Sequence, residues 1–414
     1  MTIDLTIIER TNNSIHHVTG RKPFAYITFT KLILIAHGKK FILSAWQITN
    51  NSIMVYRALG MMSGSSLDGL DIAFVEFEVS GSSWKYEFKA TECVPYTDDW
   101  RGRLQNATRL SAFDYLQLHV DYGHYLGQKA KDFIAANGLE YKVQLIGSHG
   151  HTSFHSPKSR LTHQLGDGAS IAAETGINVV SDLRSMDVAH GGEGAPIVPI
   201  GEKLLMPDYN LFLNIGGIAN LSFNQVPFIA FDVCPANRVM NFISQQKGLA
   251  YDEDGRLAAS GSIHTPLLMQ LNELDYYQSS YPKSLSNSFG DEMIIPIIQS
   301  YHLSHEDALA TYCEHISQQV KRAIANHLNW NADQKPRILV SGGGSFNSCL
   351  LSRIRFYNPQ IEWFIADNQL ASFKEALIMA FIAVLRWREE ENTISSVTGA
   401  KRNSIGGAVW LGHN

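Results

Sequence analysis

The sequence predicts an α/β protein of two lobes with a nucleotide cleft between them, and three observations lead there. Apolar strand segments alternate with amphipathic helices from Met54 onward. Each half of that region opens with a strand, a Gly/Ser turn and a second strand. Glycine-rich turns recur at strand ends in both halves, where exposed backbone N–H groups make concavities suited to anions.

Taken in order, strands are expected at 54–59, 70–79 and 84–93. A helix over 112–136 follows, with Ser111 as cap, Phe113, Leu116, Val120, Leu126, Ala130, Phe133 and Ile134 as its apolar stripe, and Gly138 as stop. Strands at 142–150 and 177–184 flank a short helix at 167–175. A second series comprises strands 211–217, 218–223 and 227–232, a helix from 237, a long helix 305–328 and a strand 337–344. It closes with a helix at 373–388, apolar nearly all round as for one buried between layers. The expected lobes are 54–200, with the tail 396–414 packing near it, and 201–395. Residues 1–53 lack a sustained period and are expected to be an extension outside the fold; a short amphipathic strand or helix around 25–47 is the alternative.

A chain of 414 residues with 45% apolar and 18% charged residues can bury a large core. Its net charge of −5 gives no reason to expect nucleic acid or an anionic membrane as partner. Cys93, Cys234, Cys313 and Cys349 are scattered without metal spacing, which favours reduced thiols. No apolar run approaches the roughly 20 residues that cross a bilayer, and the expectation is a soluble cytoplasmic protein.

Three turns are candidate phosphate cradles: GMMSGSSLDG (60–69), Gly216-Gly217 and Gly342-Gly343-Gly344. Gly-Gly between strands is by itself an ordinary hairpin turn. There is no GxxxxGK[ST], and no GxGxxG follows a strand, which sets aside P-loop and Rossmann sites. What remains is a pair of lobes with hairpin phosphate loops, the actin-like ATPase and sugar-kinase fold.

From Met54 to its end the chain resembles anhydro-N-acetylmuramic acid kinases, enzymes of bacterial cell-wall recycling. The resemblance rests on GMMSGSSLDGLDIA (60–73), IGSHGHTSFHSP (146–157), QLGDGASIAAETGINVVSDLRSMDVAHGGEGAPIVP (164–199), LFLNIGGIANLSF (211–223), DEDGRLAASG (252–261), ILVSGGGSFN (338–347), KEAL (374–377) and SSVTGAKR (395–402). It implies the actin-like fold, ATP with Mg²⁺, and a double reaction on 1,6-anhydro-N-acetylmuramic acid. Water opens the anhydro ring at C1, and the released O6 takes the γ-phosphoryl group to give N-acetylmuramic acid 6-phosphate. It also suggests a homodimer.

The resemblance makes Asp182 the general base. Asp182 ends an apolar strand, which suits a carboxylate held at a rigid cleft edge, although capping the next turn or pairing with Arg184 is the plain alternative. The stretch Gly60, Met61, Met62, Ser63, Gly64, Ser65, Ser66, Leu67, Asp68 and Gly69 resembles the ATP phosphate loop, with Gly216, Gly217, Gly342, Gly343 and Gly344 completing the cradle. Asp68 and Asp232 are candidate metal ligands, Asp68 through water or as a brace for the turn. His149, His151, Arg184 and Glu375 are candidates for the sugar pocket, Glu375 having an equally good reading as an acidic residue near a helix N-terminus. Gly192 and Glu193 are further candidates for the pocket wall.

The sequence departs from the family in places. The usual Asp-Thr-Gly-Pro-Gly-Asn stands as Asp232-Val233-Cys234-Pro235-Ala236-Asn237, which questions a turn with φ > 0 there. His151 stands for a usual Gln, and Glu193 for another. His149, His151 and His155 also raise a metal reading, without a nearby third ligand of Cys or carboxylate type. A sugar kinase lacking ring hydrolysis and an actin-like nucleotide-dependent binding protein remain competing readings.

Overall fold

The computed structural model describes strands at 9–11, 14–16, 32–36 and 39–43, and residues 53–64, 67–286, 288–329 and 334–413. The chain divides into two units, Met1–Ser52 and Ile53–Asn414. In the first, Glu9–Thr11 pairs antiparallel with Ser14–His16, and Leu32–Ala36 with Lys39–Leu43. The rest of the segment expected as an extension lies outside the described residues.

The second unit holds two sheets of the same plan. In the first, β1 (Met54–Ser63), β2 (Gly69–Ser80) and β3 (Ser83–Pro95) form an antiparallel meander. After helix α1 (Ala112–Ala136), strand β4 (Leu145–Ser148) pairs parallel with β1. A hairpin, β5 (His151–Ser156) and β6 (Leu161–Leu165), and helix α2 (Gly168–Thr175) then lead to β7 (Asn178–Ser181), parallel to β4. Helices α3 (Ser185–Ala189) and α4 (Pro199–Leu205) pass to the second sheet. There β8 (Leu211–Ile215), β9 (Ile218–Phe223) and β10 (Ile229–Pro235) repeat the meander. Beyond α5 (Asn237–Gln245) and α6 (His305–His327), β11 (Arg337–Ser341) and β12 (Glu362–Ile365) add parallel strands. Helix α7 (Asn368–Trp387) follows, and β13 (Ala408–Trp410) closes the first sheet against β7. The two-lobed α/β class expected from the sequence is the one observed.

Strand alternation sorts the side chains into layers. Leu59, Met61, Ile72 and Phe74 pack outward against α1 through Leu118, Tyr122, Leu126, Ala130 and Phe133. Ala58, Val75 and Phe77 face inward onto α7. Leu211, Leu213 and Ile215 pack outward against α5 and α6, while Phe212 and Leu339 turn inward to the cluster around α7. Helix α7 is therefore the layer shared by both sheets. It was expected within the second lobe, yet it rests chiefly on β1, β2 and β4 of the first.

Two glycines make that seat. Gly60 and Gly147 are paired residues of β1 and β4. A Cβ on Gly60 would lie 1.8 Å from the Ala376 carbonyl oxygen, and one on Gly147 2.3 Å from that of Met379. The helix backbone thus sits directly on the sheet backbone. Gly60, expected at the phosphates, has this packing role instead, and Met61 beside it is wholly buried.

Two expectations for helices are corrected. Helix α1 begins and ends as read, with Ser111 Oγ accepting the Asp114 N–H at 3.2 Å. Phe113, Leu116 and Val120, however, face solvent; the buried row is Leu118, Tyr122, Leu126 and Ala130, more than a third of a turn (roughly 130°) away. Helix α7 begins at Asn368, capped by Asp367, so Glu375 lies two turns in and the helix-N-terminus reading of it falls.

No helix among the described residues is long and apolar enough to cross a membrane, and all four cysteines are free.

Gly147→Ala is expected to destabilise the protein by about 1–3 kcal/mol or more, because backbone rather than a side-chain tip must give way. A denaturant midpoint unchanged from the parent protein would contradict the seating.

Candidate active site

The second lobe brings its two glycine turns together. Gly216 and Gly217 join β8 to β9, and their carbonyls accept N–H groups from Asn237 and Ala236 at the start of α5, at 3.0 and 2.8 Å. Asn237 Nδ2 donates to the Ile215 carbonyl at 3.1 Å. Gly342, at φ +83°, opens the other turn, where a Cβ would come within 2.7 Å of Asn214 Oδ1. The faces of Gly216, Gly217 and Gly343 are open, with nothing nearer than 3.5 Å to an added Cβ. Ser345, just beyond, has a buried hydroxyl without a hydrogen-bond partner. Open glycine faces, a helix N-terminus and an unpartnered hydroxyl fit phosphate oxygens.

The first-lobe loop is shorter than the ten residues expected. Strand β1 runs through Ser63 and β2 starts at Gly69, so the loop is 64–68. Leu67 N–H closes it onto the Gly64 carbonyl at 3.3 Å, with Leu67 at φ +57°. Ser65 and Ser66 lie outside the described residues. Gly69 is small for packing: a Cβ would meet the Val94 carbonyl at 2.7 Å. Met62 is partly buried against the inner core. Ser63 is buried in a chain of hydroxyls: Tyr122 OH lies 2.5 Å from Tyr96 OH, Tyr96 OH donates to Ser63 Oγ at 2.8 Å, and Ser63 Oγ lies 3.1 Å from His151 Nδ1. The chain is satisfied when each hydroxyl donates to the next and His151 Nδ1 accepts.

Asp182 directly follows β7, at φ +52°, exposed, with Ser185 Oγ donating to its Oδ1 at 2.5 Å. Left-handed backbone at a non-glycine residue costs free energy and concentrates at functional positions. Arg184 does not pair with Asp182. Its Nε donates to His149 Nε2 at 2.9 Å and one terminal nitrogen donates to the Gly194 carbonyl at 2.6 Å. His149 Nδ1 lies 2.9 Å from the Gly150 carbonyl, so it carries the proton and leaves Nε2 to accept from Arg184.

Electrostatics tie α7 to this group. Glu375 keeps a solvent-exposed face though protein surrounds it, the combination expected of a carboxyl at the floor of an open cleft. Burial raises its pKa above the usual range, Lys374 and Arg184 oppose that, and Asp71 adds to it. Burial also lowers the Arg184 guanidinium to about 10, against Glu375 and Asp187. Asp71 on β2 is raised by burial, and exposed Asp68 adds to the effect.

Asp232 does not join them. Its carboxylate accepts the Leu285 N–H at 2.9 Å, and its carbonyl accepts from Tyr276 OH. No three His, Cys, Asp or Glu side chains among the described residues converge as metal ligands. This answers the reading of His149, His151 and His155 as a metal site, because His149 and His151 are committed to Arg184 and Ser63. Among the described residues there is no protein cage for Mg²⁺; an ion held mainly by phosphate oxygens and water would need one or two carboxylates, and the exposed Asp68 is the residue that could supply one. The departures at 233–236 are absorbed without a left-handed turn, since β10 runs to Pro235 and Ala236 has φ −129°.

Sequence reasoning missed three groups. His119 and His163 lie with ring centroids 4.9 Å apart and planes tilted at 55°, and Tyr115 OH sits 2.6 Å from His163 Nδ1. Burial lowers both imidazoles and Asp182 opposes this at both, so its carboxylate is within electrostatic reach. Buried Asp187 accepts from Gly194 N–H at 2.8 Å and Thr398 Oγ1 at 2.7 Å. A Cβ on Gly192 would lie 2.2 Å from the same carboxylate, and Glu193 N–H donates to the Thr398 carbonyl at 2.7 Å. Asp187 thus pins the Gly192–Gly194 loop, and a charged residue in an apolar helical turn was the available signal. Lys374 and Glu202 form the third group, a buried pair described below.

Comparison with known proteins gives a family model, anhydro-N-acetylmuramic acid kinase, matching residues 56–412. The anhydro-N-acetylmuramic acid kinase of Hydrogenovibrio crunogenus is 31% identical over 371 residues, covering 85% of this chain and 97% of the relative. That of Aliivibrio fischeri is 32% identical over 376 residues, covering 85% and 98%. Among solved structures, the activator of the 2-hydroxyisocaproyl-CoA dehydratase from Clostridium difficile with bound ADPNP aligns over 80% of this chain and 96% of its own, at 13% identity and a TM-score of 0.39.

Burial depresses His149 to a pKa of about 3 and His151 to about 4. Below the unfolded value near 6.5 the unfolded chain binds more protons than the folded one, so stability is complete above that pH and is lost as pH falls toward 4. Each histidine contributes at most about 1.4 kcal/mol per pH unit in this window. Urea midpoints at pH 7.5 and 5 are expected to differ less for His151→Gln than for the parent protein; equal differences would contradict a buried neutral imidazole.

Proposed function

The chain belongs to the anhydro-N-acetylmuramic acid kinase family, and from that premise we propose that it opens the anhydro ring of 1,6-anhydro-N-acetylmuramic acid with water while phosphorylating O6 from ATP. The product is N-acetylmuramic acid 6-phosphate. Kinase activity toward the anhydro sugar follows from the family. The coupled hydrolysis and the residue roles are our reading, carried by the exposed Asp182 carboxylate at the tip of a sheet strand, oriented by Ser185.

In this reading Asp182 takes a proton from water as its oxygen bonds to C1 and the C1–O6 bond breaks. ATP supplies the γ-phosphoryl group that O6 accepts as the bond from that phosphorus to the β,γ-bridging oxygen breaks and ADP leaves. Gly216, Gly217 and Gly343 offer open backbone to the phosphates, and in this reading the exposed Asp68 carboxylate is available to the metal. Positioning and charge neutralisation are what phosphoryl transfer asks of a protein, and backbone N–H groups meet both without a nucleophile. Arg184, fixed by His149 and Gly194, and Glu375 on α7 line the sugar side. The lobes built on the two sheets, with α7 shared between them, would close on both substrates and exclude bulk water. Cytoplasmic operation and a homodimer belong to the same proposal.

Turnover with ATP, Mg²⁺ and the anhydro sugar in ¹⁸O water is expected to give phosphorylated product with ¹⁸O at C1. Phosphorylation only of the already open sugar would replace the reading with a plain amino-sugar kinase, and no sugar product would point to a nucleotide-driven binding protein. Asp182→Asn is expected to keep ATP binding and lose about 10²-fold or more in kcat; near-parental kcat would remove it as base.

A further inference from the structure

Lys374 and Glu375 are neighbours on α7 but serve different lobes. Lys374 is buried, its Nζ donating to Glu202 Oε1 on α4 at 3.1 Å and to Ser341 Oγ at 2.8 Å, with 6% and 3% of the two charged side chains exposed. Glu202 Oε2 has no hydrogen-bond partner. Ser341 ends β11 immediately before the Gly342–Gly344 turn, and its Oγ lies 3.4 Å from Asn214 Oδ1. Asn214 is next to last in β8, just before the Gly216–Gly217 turn, and its Oδ1 lies 2.7 Å from where a Gly342 Cβ would stand. One ammonium thus reaches, through Ser341 and Asn214, the roots of both second-lobe turns from a helix seated on first-lobe glycines.

A buried ion pair is weak support for stability, since burying two charges offsets most of their attraction and apolar replacements of the same size often fold as well. Retaining a charge here calls for a reason beyond folding. We propose that Lys374 is a positioning residue for nucleotide: with Glu202 as counter-ion, it holds Ser341 and Asn214 so that the two glycine turns stand at a fixed spacing relative to the first lobe. The inference rests on the reading that these turns bind the ATP phosphates.

The test is steady-state kinetics on the full chain with ATP and the anhydro sugar varied separately. The double variant Lys374→Met with Glu202→Leu leaves no unpaired charge, and is expected to unfold near the parent's melting temperature. Its KM for ATP is expected to rise about tenfold or more, as for loss of a charged hydrogen bond, with the KM for sugar changing less than about twofold. Ser341→Ala removes one oxygen and no charge, and is expected to shift the same constant in the same direction, which serves where the double variant does not fold. ATP KM values unchanged in the folded variants, or both KM values rising together, would overturn the inference. The parent protein separates the two claims: if it does not phosphorylate the sugar, the functional reading fails; if it does and the variants keep its ATP KM, only the role of Lys374 fails.

Discussion

The close approach of α7 to the paired glycines Gly60 and Gly147 is the constraint on which the rest depends. Any side chain at either position would collide with helix backbone, so the helix lies closer to the first sheet than a residue larger than glycine would allow. Once it is fixed, its other sides are determined. Ala376, Leu377, Ala380, Phe381 and Val384 fill the space between the sheets, and Trp84 meets Phe381 edge-on at 4.9 Å. What looks like a two-domain chain is thus built around one shared helix.

Between its polar ends that helix is apolar except at Lys374 and Glu375 and the neighbouring Ser372. Glu375 and Lys374 sit side by side, one toward Arg184 and the other toward Ser341. Around it the buried and half-buried charges have partners: Arg184 has His149 and Gly194, Asp187 has Gly194 and Thr398, and Lys374 has Glu202 and Ser341. The tautomer of His149 follows from its contacts to Gly150 and Arg184. A site arranged in this way is preorganised, because side chains that would otherwise need to turn toward a ligand are already held.

Much of this was legible in the sequence, for local reasons. Ser111 announced a long helix because a capping hydroxyl and an apolar period are properties of short segments. Asp182 could be singled out as the polar end of an apolar strand, though its left-handed backbone could not. Gly60 was misassigned because a glycine in a turn and a glycine under a helix read alike until the helix is placed. Phe113, Leu116 and Val120 were assigned to the core because a stripe of period 3.6 does not say which of two adjacent faces meets the sheet. Lys374 and Glu202 were invisible for a related reason, since their 172-residue separation carries no local pattern.

A crystal structure of the chain with a non-hydrolysable ATP analogue and 1,6-anhydro-N-acetylmuramic acid tests the account most directly. The terminal phosphate is predicted between the Gly216–Gly217 and Gly342–Gly344 turns, with sugar C1 facing Asp182 across one water. Nucleotide bound away from those turns, or an Asp182 carboxylate pointing away from C1, would contradict it.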